Sequence, residues 1–135
     1  MKWEINYVEG RRIVQVKPSG PMSWGDKKRL SEETLAAGRK MNVNAFLVNQ
    51  KETAFGLSVL EINRLPAVLR DAGFGYKDKV SILLNPDSIK GSLLEFLQNI
   101  LSLCPLQIKV FIDRQKATDW LKKKPLKRAN PMFDC

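Results

Sequence analysis

Hydrophobic and polar positions alternate through the first 17 residues. Trp3, Ile5 and Tyr7 share one face, Gly10 turns the chain, and Ile13, Val14 and Val16 follow. Period-two alternation on both sides of a short turn through Glu9-Gly10 predicts a β-hairpin. Pro18, Gly20 and Pro21 end its second strand. The period then changes. Leu30, Thr34, Ala37 and Met41 fall at i, i+4, i+7 and i+11, which predicts a helix from Trp24 to Lys40. Ser23 with Asp26 three residues on is a weaker form of the capping box, and the aspartate suits the positive end of the helix dipole. Asn42 and Asn44 break the pattern, and Ala45 to Val48 reads as a short strand.

A polar loop follows, carrying Asn49, Thr53 and Gly56 and stopping at Ser58. Ser58 with Glu61 completes an S-x-x-E capping box. Val59, Ile62, Leu65, Leu69 and Ala72 then mark one face of a second helix, closed by Gly73 and Gly75. Pro66 lies inside that run. It lacks an amide hydrogen and clashes with the carbonyl four residues back, so a kink or break is expected near Leu65. Val80 to Leu84 is apolar on both faces, as in a central parallel strand. The turn Asn85-Pro86-Asp87-Ser88 leads into a third helix, about Ile89 to Leu103, with apolar residues on nearly all sides and a thin polar face of Glu95, Gln98, Asn99 and Ser102. Pro105 stops it. Ile108 to Ile112 reads as the last strand, and Asp113 caps a short helix holding Ala117, Trp120 and Leu121. The order is β-β-α-β-α-β-α-β-α. It predicts one α/β domain: an N-terminal hairpin, a mixed five-stranded sheet with its later strands parallel, and helices on its faces.

Composition fits that picture. A chain of 135 residues with 44% hydrophobic content suits one domain with its own core. It has no apolar run of the roughly 18 residues needed to span a bilayer, and its start lacks a signal-peptide core, so a soluble, cytoplasmic protein is expected. Of the two cysteines, Cys104 reads as a small buried hydrophobe and Cys135 as an exposed thiol able to link two chains. The net charge is +9, and residues 114–135 hold seven basic residues against two acidic ones, so +5 of it. Residues 124–135 read as a basic, poorly ordered tail, with weak nucleic-acid or anionic-lipid contact as its reach beyond a solvated helix end.

The chemistry inventory is short. The chain has no histidine, which removes Ser-His-Asp and Cys-His catalysis. It has no Walker loop and no G-x-G-x-x-G, and no cysteine or carboxylate cluster has metal-ligand spacing. No catalytic, cofactor-binding or metal-binding residue is assigned, and the expectation is a non-enzymatic protein. The aromatics do not cluster as in an RNA-recognition sheet.

Three stretches carry a resemblance. MKWEINYVEGRRIVQV, FLVNQKETAFGLSVLEINRLPAVL and IKVFIDRQKATDWL are similar to the N-terminal strands, the strand–loop–second helix and the last strand and helix of STAS-like proteins of the SpoIIAA-like group, relatives of bacterial anti-sigma-factor antagonists. The resemblance covers roughly residues 1–123. It implies the same fold and a regulatory protein–protein interaction. In the antagonists the loop before the second helix carries an Asp-Ser-Ser-Gly type motif whose serine is phosphorylated. Ser58 matches a serine of that motif, while Leu57 stands at the aspartate and Val59 and Leu60 at the second serine and the glycine. Ser58 is thus a helix cap first and a candidate phosphoacceptor second. The expected function is an interaction module docking a protein partner through loop 49–57 and the start of the helix at Ser58, with Ser58, Asn49, Thr53 and Gly56 as its site residues. The surplus apolar surface of the third helix raises two further possibilities: a homodimer contact, and carriage of a small hydrophobic molecule or lipid.

Overall fold

The computed structural model describes residues 3–19, 23–51, 59–86, 93–103 and 106–123. Its elements follow the expected order: β1 (Trp3–Val8), β2 (Ile13–Pro18), α1 (Trp24–Lys40), β3 (Ala45–Gln50), α2 (Val59–Ala72), β4 (Lys79–Leu84), α3 (Leu93–Ser102), β5 (Gln107–Phe111) and α4 (Arg114–Lys122). The strands form one sheet in the order β1-β2-β3-β4-β5. β1 and β2 are antiparallel, and the other three pairs are parallel.

Strand order equal to chain order has a consequence for the layers. Right-handed crossovers from β2 through to β5 deliver α1, α2 and α3 to the same face. These helices pack on one another in series, while α4 packs against β3, β4 and β5. The first face carries the main core, where Val14, Phe46, Val80, Ile82, Ile108 and Val110 meet Leu35, Leu69, Leu97 and Leu101 from the helices. On the second face, Ile13, Leu47 and Leu83 meet Ala117 and Leu121 of α4. β4 is buried along its whole length, so its apolar run does reflect cover on both sides.

Two of the helix–strand corners on the first face, after α1 and after α2, close with the same device. After α1, Asn42 takes a positive φ of 56°, its amide donates to Arg39 O, and Val43 N donates to Gly38 O. After α2, Gly73 takes φ 112°, its amide donates to Arg70 O, and Phe74 N donates to Leu69 O. These are two Schellman motifs, each followed by a residue that the core buries, Val43 and Phe74. Phe74 then meets Phe46 edge-on, with ring centroids 5.0 Å apart. An ion pair ties the two corners: Arg39 donates to both oxygens of buried Asp78 at 2.9 and 2.8 Å, and Asp78 Oδ2 also accepts from Gly75 N at 2.8 Å. The hydrogen bonds to Asp78 hold the Arg39 guanidinium above its ordinary pKa, against the opposing effect of burial.

Several expectations are corrected. α2 continues as helix through Pro66, so the chain does not break at Leu65. The proline is buried, and α2 packs on α1 and α3, so tertiary contact outweighs the lost hydrogen bond. β3 extends two residues past Val48, which places Asn49 in the strand and not in the loop. The hairpin loop is four residues, 9–12, with Glu9, Gly10 and Arg11 all at positive φ. The buried stripe of α1 is Leu30, Ser31, Thr34, Leu35 and Gly38, and Met41 is exposed beyond the helix end. Ser31 and Thr34 can be buried because their hydroxyls donate to Lys27 O and Leu30 O. The expected first turn of α3, Cys104, Cys135 and the tail 124–135 lie outside the described residues.

Candidate functional site

In a parallel sheet the loops leaving the carboxyl ends of the strands gather at one end, where open α/β sheets usually bind. α1 begins at that end. Ser23 Oγ accepts from Asp26 N at 3.1 Å and Asp26 Oδ2 accepts from Ser23 N at 3.3 Å, so the expected capping box is present in both directions. This cap fixes Trp24 as the first helical residue. The Trp24 side chain does not join the core and remains 37% exposed. Lys27 Nζ lies 4.3 Å from the ring centroid, and the Arg64 guanidinium of α2 lies 4.5 Å from it. Each such cation–π contact contributes about 0.5–1 kcal/mol at an exposed site. Together they hold the ring against the α1–α2 seam.

Lys27 also lines a narrow apolar crevice of about 60 Å³ between α1, α2 and the sheet. Val16, Leu30, Val48, Leu65 and Leu69 line it, with Lys27 at its edge and Gln50 as its polar wall. The Gln50 Oε1 atom is itself buried. The arrangement is an exposed tryptophan flanked by two cations, one of which, Lys27, also lines a slot of the size of a few methyl groups.

Asn49 belongs to a different surface. It pairs with Leu83 of β4, and its side chain is on the second face of the sheet, two residues on from Leu47, the partner of Gln15 in β2. Asn49 Nδ2 donates to Gln15 Oε1 at 3.4 Å, and Asn49 Oδ1 accepts from Lys51 N at 3.1 Å. Arg114 Nη1 donates to the same Gln15 oxygen at 2.9 Å. Arg114 opens α4, whose cap Asp113 accepts from Gln115 N and Lys116 N at 2.8 and 3.2 Å. A polar chain therefore runs from the start of α4 through β2 to β3. Ser58, Thr53 and Gly56 lie outside the described residues, so of the four expected site residues only Asn49 is placed. It stands on the face opposite Trp24.

The other end of the sheet holds a structural cluster. Lys79, on apolar-flanked β4, is only 4% exposed. Its Nζ donates to Trp120 O and to Lys123 O, the latter at 3.0 Å, and lies 4.4 Å from the Trp120 ring centroid. The ammonium thus sits at the negative end of the α4 dipole. Burial pushes its pKa below the ordinary lysine value, and the charges of Lys109 and Lys123 push the same way. An open groove of about 460 Å³ runs beside it along β5, bounded by polar side chains of α3 and by Lys109 and Trp120.

Sequence reasoning did not find Trp24 and Arg64. A signal was present: Trp24 is a large aromatic directly after a helix cap and off the stripe through Leu30 and Thr34. Among the described residues no group of three or more His, Cys, Asp or Glu side chains is placed to hold a metal ion, and no helix is long and apolar enough to cross a membrane. No protein-family model matches the chain, and no curated protein matches it.

Proposed function

We propose that this chain is a non-enzymatic, STAS-like interaction module. It docks a protein partner at the carboxyl end of the sheet, the end to which loop 49–57 and the start of α2 belong. The observation that carries this reading is the exposed Trp24 with Lys27 and Arg64 over its ring. Tryptophan and arginine are the residue types that dominate binding energy at protein interfaces, and they act best beside a pocket that takes an apolar anchor. The slot of about 60 Å³ suits one small aliphatic side chain of a partner. The cationic rim, on a chain of net charge +9, selects an acidic partner surface.

The same slot argues for docking over carriage of a hydrophobic molecule, because a ligand-sized pocket is on the order of 300–1,000 Å³. The larger groove beside β5, about 460 Å³, is of that size, but it is open and its largely apolar wall carries Glu95 and Lys109, so a hydrophobic molecule there would lie against two charged groups and solvent.

The test is capture of a partner by the tagged full chain, compared with its Trp24→Ala and Arg64→Ala variants. Both variants are expected to lose on the order of tenfold or more in affinity for the captured protein. Tyr76→Ala, at an exposed position elsewhere, is expected to bind as the unmodified chain does. Equal capture by all three variants would remove the proposal.

A further inference from the structure

β5 is an edge of the sheet, and one of its residues opens on a groove. In a parallel strand, alternate residues direct both backbone groups to the same side. Val110 N and O point away from β4, where the Gln98 side chain bonds to both. Two residues back, Ile108 therefore turns its own N–H and C=O outward. Among the described residues none is bonded to either group. Both face the groove of about 460 Å³ between α3 and β5, which Ile108 lines. A backbone donor at a cavity wall calls for an acceptor.

Three lysines gather at the same place. Lys79 Nζ lies 4.4 Å and Lys109 Nζ 5.7 Å from the Trp120 ring centroid. Lys79 also donates to Lys123 O, which brings Lys123 beside them. Burial lowers the Lys79 pKa, and the charges of Lys109 and Lys123 lower it further, so the three ammonium groups feel one another. Among the described residues no carboxylate pairs with any of the three. Carbonyl groups hold Lys79, but Lys109 is exposed and lines the groove with Trp120. An uncompensated positive field over a cavity concentrates anions.

The remaining wall says what that anion carries. Trp120 offers a half-buried indole, against which a flat ring stacks. Glu95 and Asn99 of α3 line the groove and are exposed; the carboxylate accepts from hydroxyl or amino groups. The volume falls in the range of about 300–1,000 Å³ typical of small-ligand sites. A flat ring, hydrogen-bond donors and one anionic group on the same small molecule match these three features.

The geometry points to a binding site for a nucleoside monophosphate in the groove beside β5. The phosphate lies on Lys109 and the Ile108 N–H, the base against Trp120, and the hydroxyl or amino groups toward Glu95 and Asn99. This site is separate from the Trp24 rim, which belongs to α1 and α2.

NMR titration of the full chain with each of the four ribonucleoside monophosphates tests it. At least one is expected to bind with Kd on the order of 0.1 mM or tighter. The shifts should centre on the amides of Ile108 and Lys109 and the Trp120 indole, and binding should weaken as salt rises. The same nucleoside without its phosphate, and inorganic phosphate alone, are each expected to bind on the order of tenfold more weakly. Lys109→Ala is expected to lose a similar factor at unchanged circular dichroism, and Lys109→Arg to keep most of the affinity. Trp24→Ala is expected to bind as the unmodified chain does. No shift at Ile108 with any of the four at about 5 mM, far above that Kd, would overturn the inference. So would shifts centred on Trp24 or confined to residues 124–135, phosphate binding as tightly as the nucleotide, or full affinity in Lys109→Ala.

Discussion

Gly38 shows how much one residue can owe to an element formed elsewhere. A Cβ at this position would lie 2.5 and 2.6 Å from Phe46 Cζ and Cε1 and 2.8 Å from Val43 O. Alanine is the better helix former by about 1 kcal/mol. Overpacking outweighs that gain, so Gly38→Ala is expected to lower stability by roughly 1–3 kcal/mol. Urea unfolding would show it as a lower midpoint at unchanged slope. Lys79 poses the opposite problem, a charge with little water around it. Its folded pKa is below the ordinary value, so between that pKa and about 10.4 the unfolded chain holds more protons. Stability contributed by this group therefore rises with pH across that window. Lys79→Met removes the titration, and the stability of the unmodified chain relative to this variant is expected to grow as pH rises toward about 10.4. A flat difference would contradict the cost of the buried charge. Neither residue was legible in the sequence. Gly38 is set by Phe46 and Lys79 by the end of α4, and periodicity reports neither contact.

The elements were far more legible, because each is signalled locally. The Ser23–Asp26 cap, the helix Trp24–Lys40 and the cap at Asp113 all occur where the residue types place them. Pro66 and Asn49 were misread for a common reason. Their local preference, to break a helix and to end a strand, was overruled by neighbours packed on either side. Gln98 illustrates an element-level role that polarity alone conceals. β5 is an edge strand, and unpaired edges invite unwanted pairing. By bonding to Val110 N and O, the Gln98 amide takes the place of the missing strand at that residue. Gln98→Ala is expected to cost about 1–2 kcal/mol. Amide exchange should quicken most at Val110. Uniform protection in the variant would show that the side chain does not guard the edge.

At the scale of the molecule, the sheet is covered unequally. Three helices pack on one face, and one nine-residue helix packs on part of the other. The first arrangement brings the starts of α1 and α2 together, and with them Trp24, Lys27 and Arg64. That meeting places Trp24, Lys27 and Arg64 at the end of the sheet chosen from topology. Asn49 turns to the second face, and the side chains that define the rim come from helices separated by 40 positions in the chain. The central claim is that this rim touches a protein partner. It is tested most directly by placing a photo-crosslinking phenylalanine analogue at position 24 of the full chain in its native cell, with the same analogue at position 76 as control. Tyr76 is 59% exposed and lies between α2 and β4, at the opposite end of the sheet. The expected result is a discrete adduct of higher mass from position 24, absent from position 76 and lost when Arg64→Ala is added. No adduct from position 24, or the same adducts from both positions, would contradict the account.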